Sequence, residues 1–173
     1  MWEVLIKNGN QFGLTPYGTE AMHVLRAERG FIIVGQETDG TVSPIDLGMD
    51  WIISKKKKDF IGKRSLERAS MKQNDRKELV GLLSDDPNTV IPEGAHAIDE
   101  KDLELEEKNI LGHVTSSYFS SNCKRSIAMA LIKNGRARKG NKLVIPLLNG
   151  DKIKAKIVNP VFFDPNGVRK NGI

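Results

Sequence analysis

Residues 152–158 read Lys-Ile-Lys-Ala-Lys-Ile-Val, with polar and apolar side chains alternating almost strictly. A period of two marks a strand with one face in a core and the other in water. Ile153, Ala155 and Ile157 are therefore expected on the buried face. Just upstream, Asn149-Gly150 is a strong hairpin signal, because both residue types accept a positive φ. The other arm of that hairpin is Leu143 to Leu148. Further back, Ser126 to Ile132, Ile110 to Phe119 and Glu78 to Leu83 also read as strands. Pro87, Pro92 and Gly94 punctuate a long loop, and the acidic run Asp99 to Lys108 reads as a solvated connection. Five short strands between turn signals predict a small antiparallel β-barrel or sandwich. Gln73-Asn74-Asp75 breaks the pattern ahead of it, so the expected division lies between residues 1–74 and residues 75–173. From Pro160 onward the chain is a proline- and glycine-rich tail.

The texture before residue 75 is different, and the fold class of the whole is α+β. Trp2 to Lys7 predicts a short helix closed at Gly9. Gly13 to Gly30 predicts a longer one, with Thr15 as N-cap, Pro16 at the first helical position and Gly30 at C′. Ala21, Val24, Leu25 and Glu28 recur at helical spacing, with Met22 widening the stripe. Arg26 follows Leu25 in this amphipathic pattern and is the residue that needs an explanation. Phe31 begins a run, Phe-Ile-Ile-Val, that reads as a buried strand. Gly35 to Pro44 is a loop carrying Glu37 and Asp39, and Gly62 to Lys72 reads as a helix with Leu66, Ala69 and Met71 turned inward.

The formal net charge is +5, and the two halves share it: 11 basic against 9 acidic side chains in residues 1–74, 16 against 13 in residues 75–173. Neither half has the basic excess that makes a case for nucleic acid. A single cysteine, Cys123, excludes an internal disulfide and points to a reducing, cytoplasmic setting. No apolar run approaches the length of a membrane span, and no membrane partner is expected. His23, His96 and His113 are far apart in sequence and none has metal-ligand spacing with Cys123, so all three read as structural or solvent-facing. No Walker or dinucleotide glycine signature occurs. Lys55 to Lys58 is either a solvated face or a contact for a polyanion. Glu37 and Asp39 are explained as well by turn chemistry as by ligand binding.

Several segments resemble the aminomethyltransferase family, the T-proteins of glycine cleavage. Leu25 to Gly30 resembles that family's L-R-x-E-x-G helix. In register with it, Gly35-Gln36-Glu37-Thr38-Asp39 is similar to G-x-D/E-x-D, Ser43-Pro44 to T-P, and Leu47 to Trp51 to the following L-x-W element. Arg76 to Leu82 is similar to R-x-x-V-G-L at the start of the family's C-terminal barrel, and Gly112 to Ser116 and Ile127 to Ala130 are similar to its G-x-V-T-S and V-A-M-G strands. The wording is closer still to one branch, the α subunits of heterotetrameric sarcosine oxidases, and this likeness covers essentially the whole chain.

The resemblance implies the end of an aminomethyltransferase-like folate-binding domain followed by the terminal barrel. It implies tetrahydrofolate as cofactor, with FAD, FMN and NAD bound outside these residues in the whole enzyme. The implied activity is oxidative demethylation of sarcosine to glycine with formation of 5,10-methylenetetrahydrofolate. The implied partners are the remaining part of the α subunit and the other sarcosine oxidase subunits. The family's upstream aspartate and G-Y-T-G-E-type glutamate have no match here. The chain is thus expected to be a C-terminal piece, inactive alone and prone to self-association. Arg26, from L-R-x-E, is the expected folate contact, with Glu28 beside it and Arg169 returning from the tail. Two alternatives stand: a piece of a glycine-cleavage aminomethyltransferase, and a piece of the related folate-binding RNA-modification factor, whose K-G-C-Y-x-G-Q-E signature is matched only at Gly35-Gln36-Glu37.

Overall fold

The computed structural model describes residues 1–105 and 108–169. Glu106 and Glu107 of the acidic segment, and tail residues 170–173, lie outside the described residues.

A closed antiparallel barrel occupies the second half. Its strands are β1 (Lys77–Ser84), β2 (His96–Asp99), β3 (Ile110–Ser120), β4 (Arg125–Lys133), β5 (Lys142–Pro146) and β6 (Lys152–Val158). They neighbour one another in the order β1-β4-β3-β2-β5-β6, and β6 pairs back onto β1 through Leu82 opposite Ile157. Closure leaves no free edge. Ile153, Ala155 and Ile157 point inward as their alternation predicts, joining Val80, Leu82, Ala128, Ala130, Ile132, Leu143 and Ile145. Alanines facing large aliphatics fit the narrow interior of a six-stranded barrel.

The sixth strand, β2, is a correction to the five read from sequence. At four residues, with a register shift between Ala97 and Ile98, it is too short and irregular for a period to show. It closes the gap between β3 and β5. β4 was legible for the opposite reason. Its run Ser-Ile-Ala-Met-Ala-Leu-Ile is apolar throughout because both faces are covered. Ala128, Ala130 and Ile132 fill the barrel, while Ile127, Met129 and Leu131 form a second cluster outside it with Leu79 and Ala27.

The first half is sparsely packed. α1 (Trp2–Gly9) buries no residue and runs on through a 3₁₀ turn, Asn10–Phe12. The stop is Gly13, at φ 70°, and not Gly9. α2 (Thr19–Glu28) begins three residues later than Thr15-Pro16 predicts, with Gly18 as N-cap in extended geometry. Residues 11–20 are all exposed, so nothing packs against an extra first turn to hold it. Its C-terminal end follows the prediction: Gly30 is left-handed at φ 68°, its N–H donates to Ala27 O, and the Phe31 N–H donates to Arg26 O. That is the 5→2 and 6→1 pattern of a Schellman cap.

Phe31 to Val34 is not a strand. The Ile33 carbonyl accepts from Gln36 N–H and Glu37 N–H, folding the segment into turns, and Val34 is 85% exposed. Apolar content makes a strand only where an adjacent strand offers a ladder. Gly62 to Lys72 is likewise not one helix. It splits into α3 (Lys63–Leu66) and a 3₁₀ turn, Ala69–Met71, around an extended Arg68. Among the described residues no helix is long and apolar enough to cross a membrane.

Candidate functional site

α2 lies with its last turn on the outer face of β3 and β4. The stripe read from sequence faces inward only in part: Met22 and Leu25 are 44% and 47% exposed and Ala21 and Val24 half-buried, while its Glu28 is buried together with Arg26 and Ala27. Ala27 supplies the close approach, packing with Leu79, Ile127, Met129 and Leu131. The two charged residues flanking it each reach polar groups of the barrel: Arg26 reaches Ser116, and Glu28 reaches Ser120.

Arg26 is the centre of one network. Its Nη1 donates to Glu37 Oε2 at 2.9 Å and to the Phe31 carbonyl at 3.1 Å. Its Nη2 donates to Gln36 Oε1 at 3.0 Å and Ser116 Oγ at 2.6 Å, with Tyr118 Oη at 3.4 Å. The guanidinium carbon stands 5.8 Å from the Tyr118 ring centroid, and the His23 ring stacks on that tyrosine at 6.5 Å. Glu37 is completely buried, accepts from Ile33 N–H at 2.8 Å and receives the Ser116 hydroxyl. A buried carboxylate holding several donors and a paired guanidinium is the arrangement in which both charges tolerate burial.

Glu28 is the centre of the second. Its carboxylate accepts from Ser120 Oγ at 2.6 Å and Asn122 Nδ2 at 2.8 Å. Its backbone carbonyl takes the N–H groups of both Phe162 and Phe163, which ties the tail to the end of α2. Arg29 reinforces that tie through the Phe163 carbonyl at 3.0 Å and Asp164 Oδ2 at 3.2 Å. Arg169, in contrast, is exposed, with its guanidinium carbon 5.5 Å from the Phe163 ring centroid. None of its hydrogen bonds among the described residues reaches Arg26 or Glu28. The structure thus brings Arg26 and Glu28 to one wall and puts Arg169 on the adjoining tail.

Sequence reasoning missed Glu37 as the partner of Arg26, and missed Ser116, Tyr118 and Ser120. A signal existed in the last three: polar residues at every second position of a strand share one face. A cleft of about 700 Å3 opens beside Arg29 and Gly30 and is lined by Phe31, Leu47, Met49, Trp51 and Val161; none of Arg26, Glu28 and Arg169 lines it. Each buried carboxylate of the wall is tied to donors of the chain: Glu37 to Arg26, Ser116 and the Ile33 N–H, and Glu28 to Ser120 and Asn122.

Comparison with known proteins bears on this geometry directly. The model of the glycine cleavage T-protein C-terminal barrel domain matches residues 77–164, from the first residue of β1 to the tail clamp at Asp164. The chain belongs to this T-protein barrel family. The GCVT N-terminal domain matches residues 1–57, the part carrying α2 and Glu37. Among curated T-protein relatives, the sarcosine oxidase α subunit of Corynebacterium sp. strain P-1 is 49% identical over 99% of this chain. That of Rhizobium meliloti is 38% identical over 96%. The aminomethyltransferase of Thermoanaerobacter pseudethanolicus is 30% identical over 96%. The chain spans 18% and 17% of the two α subunits and 42% of the aminomethyltransferase. Among solved structures, the aminomethyltransferase of the Bartonella henselae glycine cleavage system superposes with a TM-score of 0.71 at 25% identity, covering 84% of this chain and 38% of that one. The likeness to the T-proteins is therefore one of fold as well as of sequence.

Proposed function

We propose that this T-protein-type chain forms part of the folate-binding region of a cytoplasmic sarcosine oxidase. In that enzyme it contributes to holding tetrahydrofolate while sarcosine is oxidatively demethylated to glycine and 5,10-methylenetetrahydrofolate is formed. The observation that carries the reading is the gap in identity over almost the same span: 49% to a sarcosine oxidase α subunit against 30% to an aminomethyltransferase. FAD, FMN and NAD belong, in this reading, to parts of the enzyme outside these residues, as do the other subunits.

The fit of folate to the wall is indirect. The terminal nitrogens of Arg26 and both carboxylate oxygens of Glu28 are satisfied by the chain itself. These two residues act by fixing the wall, and the half-buried Gln36 and Tyr118, which Arg26 holds, are the polar groups placed to meet a ligand. Arg169 offers an exposed cation for a carboxylate. When bound, tetrahydrofolate supplies the acceptor for the one-carbon unit.

The test uses the complete enzyme with its companion subunits. Arg26→Ala should weaken tetrahydrofolate binding and the yield of 5,10-methylenetetrahydrofolate while sarcosine oxidation continues. Unchanged folate affinity removes the assignment of Arg26. A complete enzyme that takes its carbon from a lipoyl carrier and leaves sarcosine untouched replaces the reading with the aminomethyltransferase one.

A further inference from the structure

The short strand β2 brings together two histidines that no sequence spacing connects. His96 stands directly opposite His113 across the β2–β3 ladder. Next along that ladder, Val114 O accepts from Gly94 N–H and Val114 N–H donates to Ala95 O, both at 2.9 Å. Hydrogen-bonded and non-hydrogen-bonded positions alternate in an antiparallel pair, so the His96–His113 position is of the non-hydrogen-bonded kind. There the side chains approach most closely, with Cβ atoms roughly 4.5–5.5 Å apart. Cross-strand partners share a face. On β4, His113 pairs with Leu131, which belongs to the cluster outside the barrel, so both imidazoles stand on the outer surface. His96 is exposed and His113 half-buried, and neither side chain makes a hydrogen bond among the described residues.

We propose that His96 and His113 form a two-histidine surface site for a late first-row divalent transition-metal ion such as Zn2+, Ni2+ or Cu2+. Imidazole nitrogen suits these ions, whereas Ca2+ and Mg2+ require oxygen ligands. The ladder fixes both histidine backbones in advance, so only side-chain rotation is left to order. No set of three or more histidine, cysteine, aspartate or glutamate side chains converges among the described residues. Water therefore completes the coordination, and the site is open to solvent and to a further ligand.

The test is a zinc titration of the full 173-residue chain, followed by calorimetry near neutral pH. One ion per chain should bind. His96→Gln and His113→Gln should each weaken binding roughly tenfold or more, and His23→Gln should not. Because His113 is partly packed, a second measurement on the unaltered chain stands beside the variants: substoichiometric Cu2+ should broaden the ring-proton resonances of His96 and His113 together. Absence of saturable binding up to roughly millimolar zinc, affinity unmoved by His96→Gln, or broadening that spares either histidine overturns the proposal.

Discussion

Arg26 is a cation carried inside the protein, kept there by Glu37, whose own burial is complete. Removing one member of such a pair strands the other. Glu37→Ala should therefore cost about 3–5 kcal/mol, read as a lowered urea midpoint. Arg26→Met combined with Glu37→Leu should recover most of that loss, because neither charge is then left buried alone. A double variant as unstable as the single one rejects this account. A second buried carboxylate sets a pH dependence. Burial raises the Asp46 carboxyl, but the hydrogen bond from Arg76, the Ser43 N–H and hydroxyl, and the Arg76 charge outweigh it and bring it below the usual carboxylate value. A folded-state pKa lowered in this way gives stabilisation that is complete above the unfolded value of about 3.9 and is lost as the pH falls through the lower folded value. Between pH 5 and 2, by this order-of-magnitude argument, the wild type should lose more stability than Asp46→Asn does. Equal slopes in the two proteins count against it.

At the level of elements, the junction of α2 with the tail makes a strict demand on one residue. Gly30 is left-handed, and a Cβ placed there would lie 2.8 Å from the Pro160 carbonyl oxygen. Backbone on both sides leaves no side chain to yield. Gly30→Ala should cost about 1–3 kcal/mol from the conformation alone, with the contact adding to it, and denaturant melts should show this. The cap was readable because glycine after a basic last turn is a local signal. The burial of Arg26 was not, since periodicity assigns the inner face to the stripe of Ala21, Val24, Leu25 and Glu28. Here Met22 and Leu25 look outward, and Arg26 and Glu28 are held by Ser116, Tyr118 and Ser120 from about ninety residues further on. Short-range pattern cannot register a partner at that distance. The same limit explains Phe31 to Val34, a run with strand composition and no ladder to join.

Across the whole molecule, packing is uneven. The barrel has a buried apolar interior, whereas Trp2, Val4, Leu5, Met22 and Leu25 of the two N-terminal helices are each more than two-fifths exposed. Apolar surface on that scale marks an interaction face. At rising concentration the chain should self-associate, with the sedimentation coefficient increasing and the tryptophan emission moving to the blue as Trp2 is covered. Leu5→Glu with Leu25→Glu should keep it monomeric. Concentration-independent sedimentation of the unaltered chain refutes this. For the same reason tetrahydrofolate should bind the isolated chain weakly. A single wall leaves most of the ligand in water, and affinity depends on several groups enclosing it together. Saturable micromolar binding in calorimetry contradicts that expectation.

β3 and β4 fall out of step by one residue between Val114 and Ser116, leaving Thr115 unpaired in the ladder, with its hydroxyl on the Met129 carbonyl. Gly112 and Val114 pair with Ile132 and Ala130 of the interior, whereas beyond the surplus residue Ser116 and Tyr118 pair with Met129 and Ile127 on the face toward α2, and Ser117 pairs with Ala128 of the interior. The polar set that receives Arg26 and Glu28 therefore depends on parity and not only on composition. Deleting the single codon for Thr115 would leave all of these pairs intact. Deleting the codon for Ser117, a paired position, would put Tyr118 opposite Ala128, turning Tyr118 and Ser120 into the barrel and Phe119 toward the helix. The Ser117 deletion should therefore cost more stability than the Thr115 deletion. The reading frame of side chains along one strand, strict at paired positions and forgiving at the one surplus threonine, is itself a heritable part of the site.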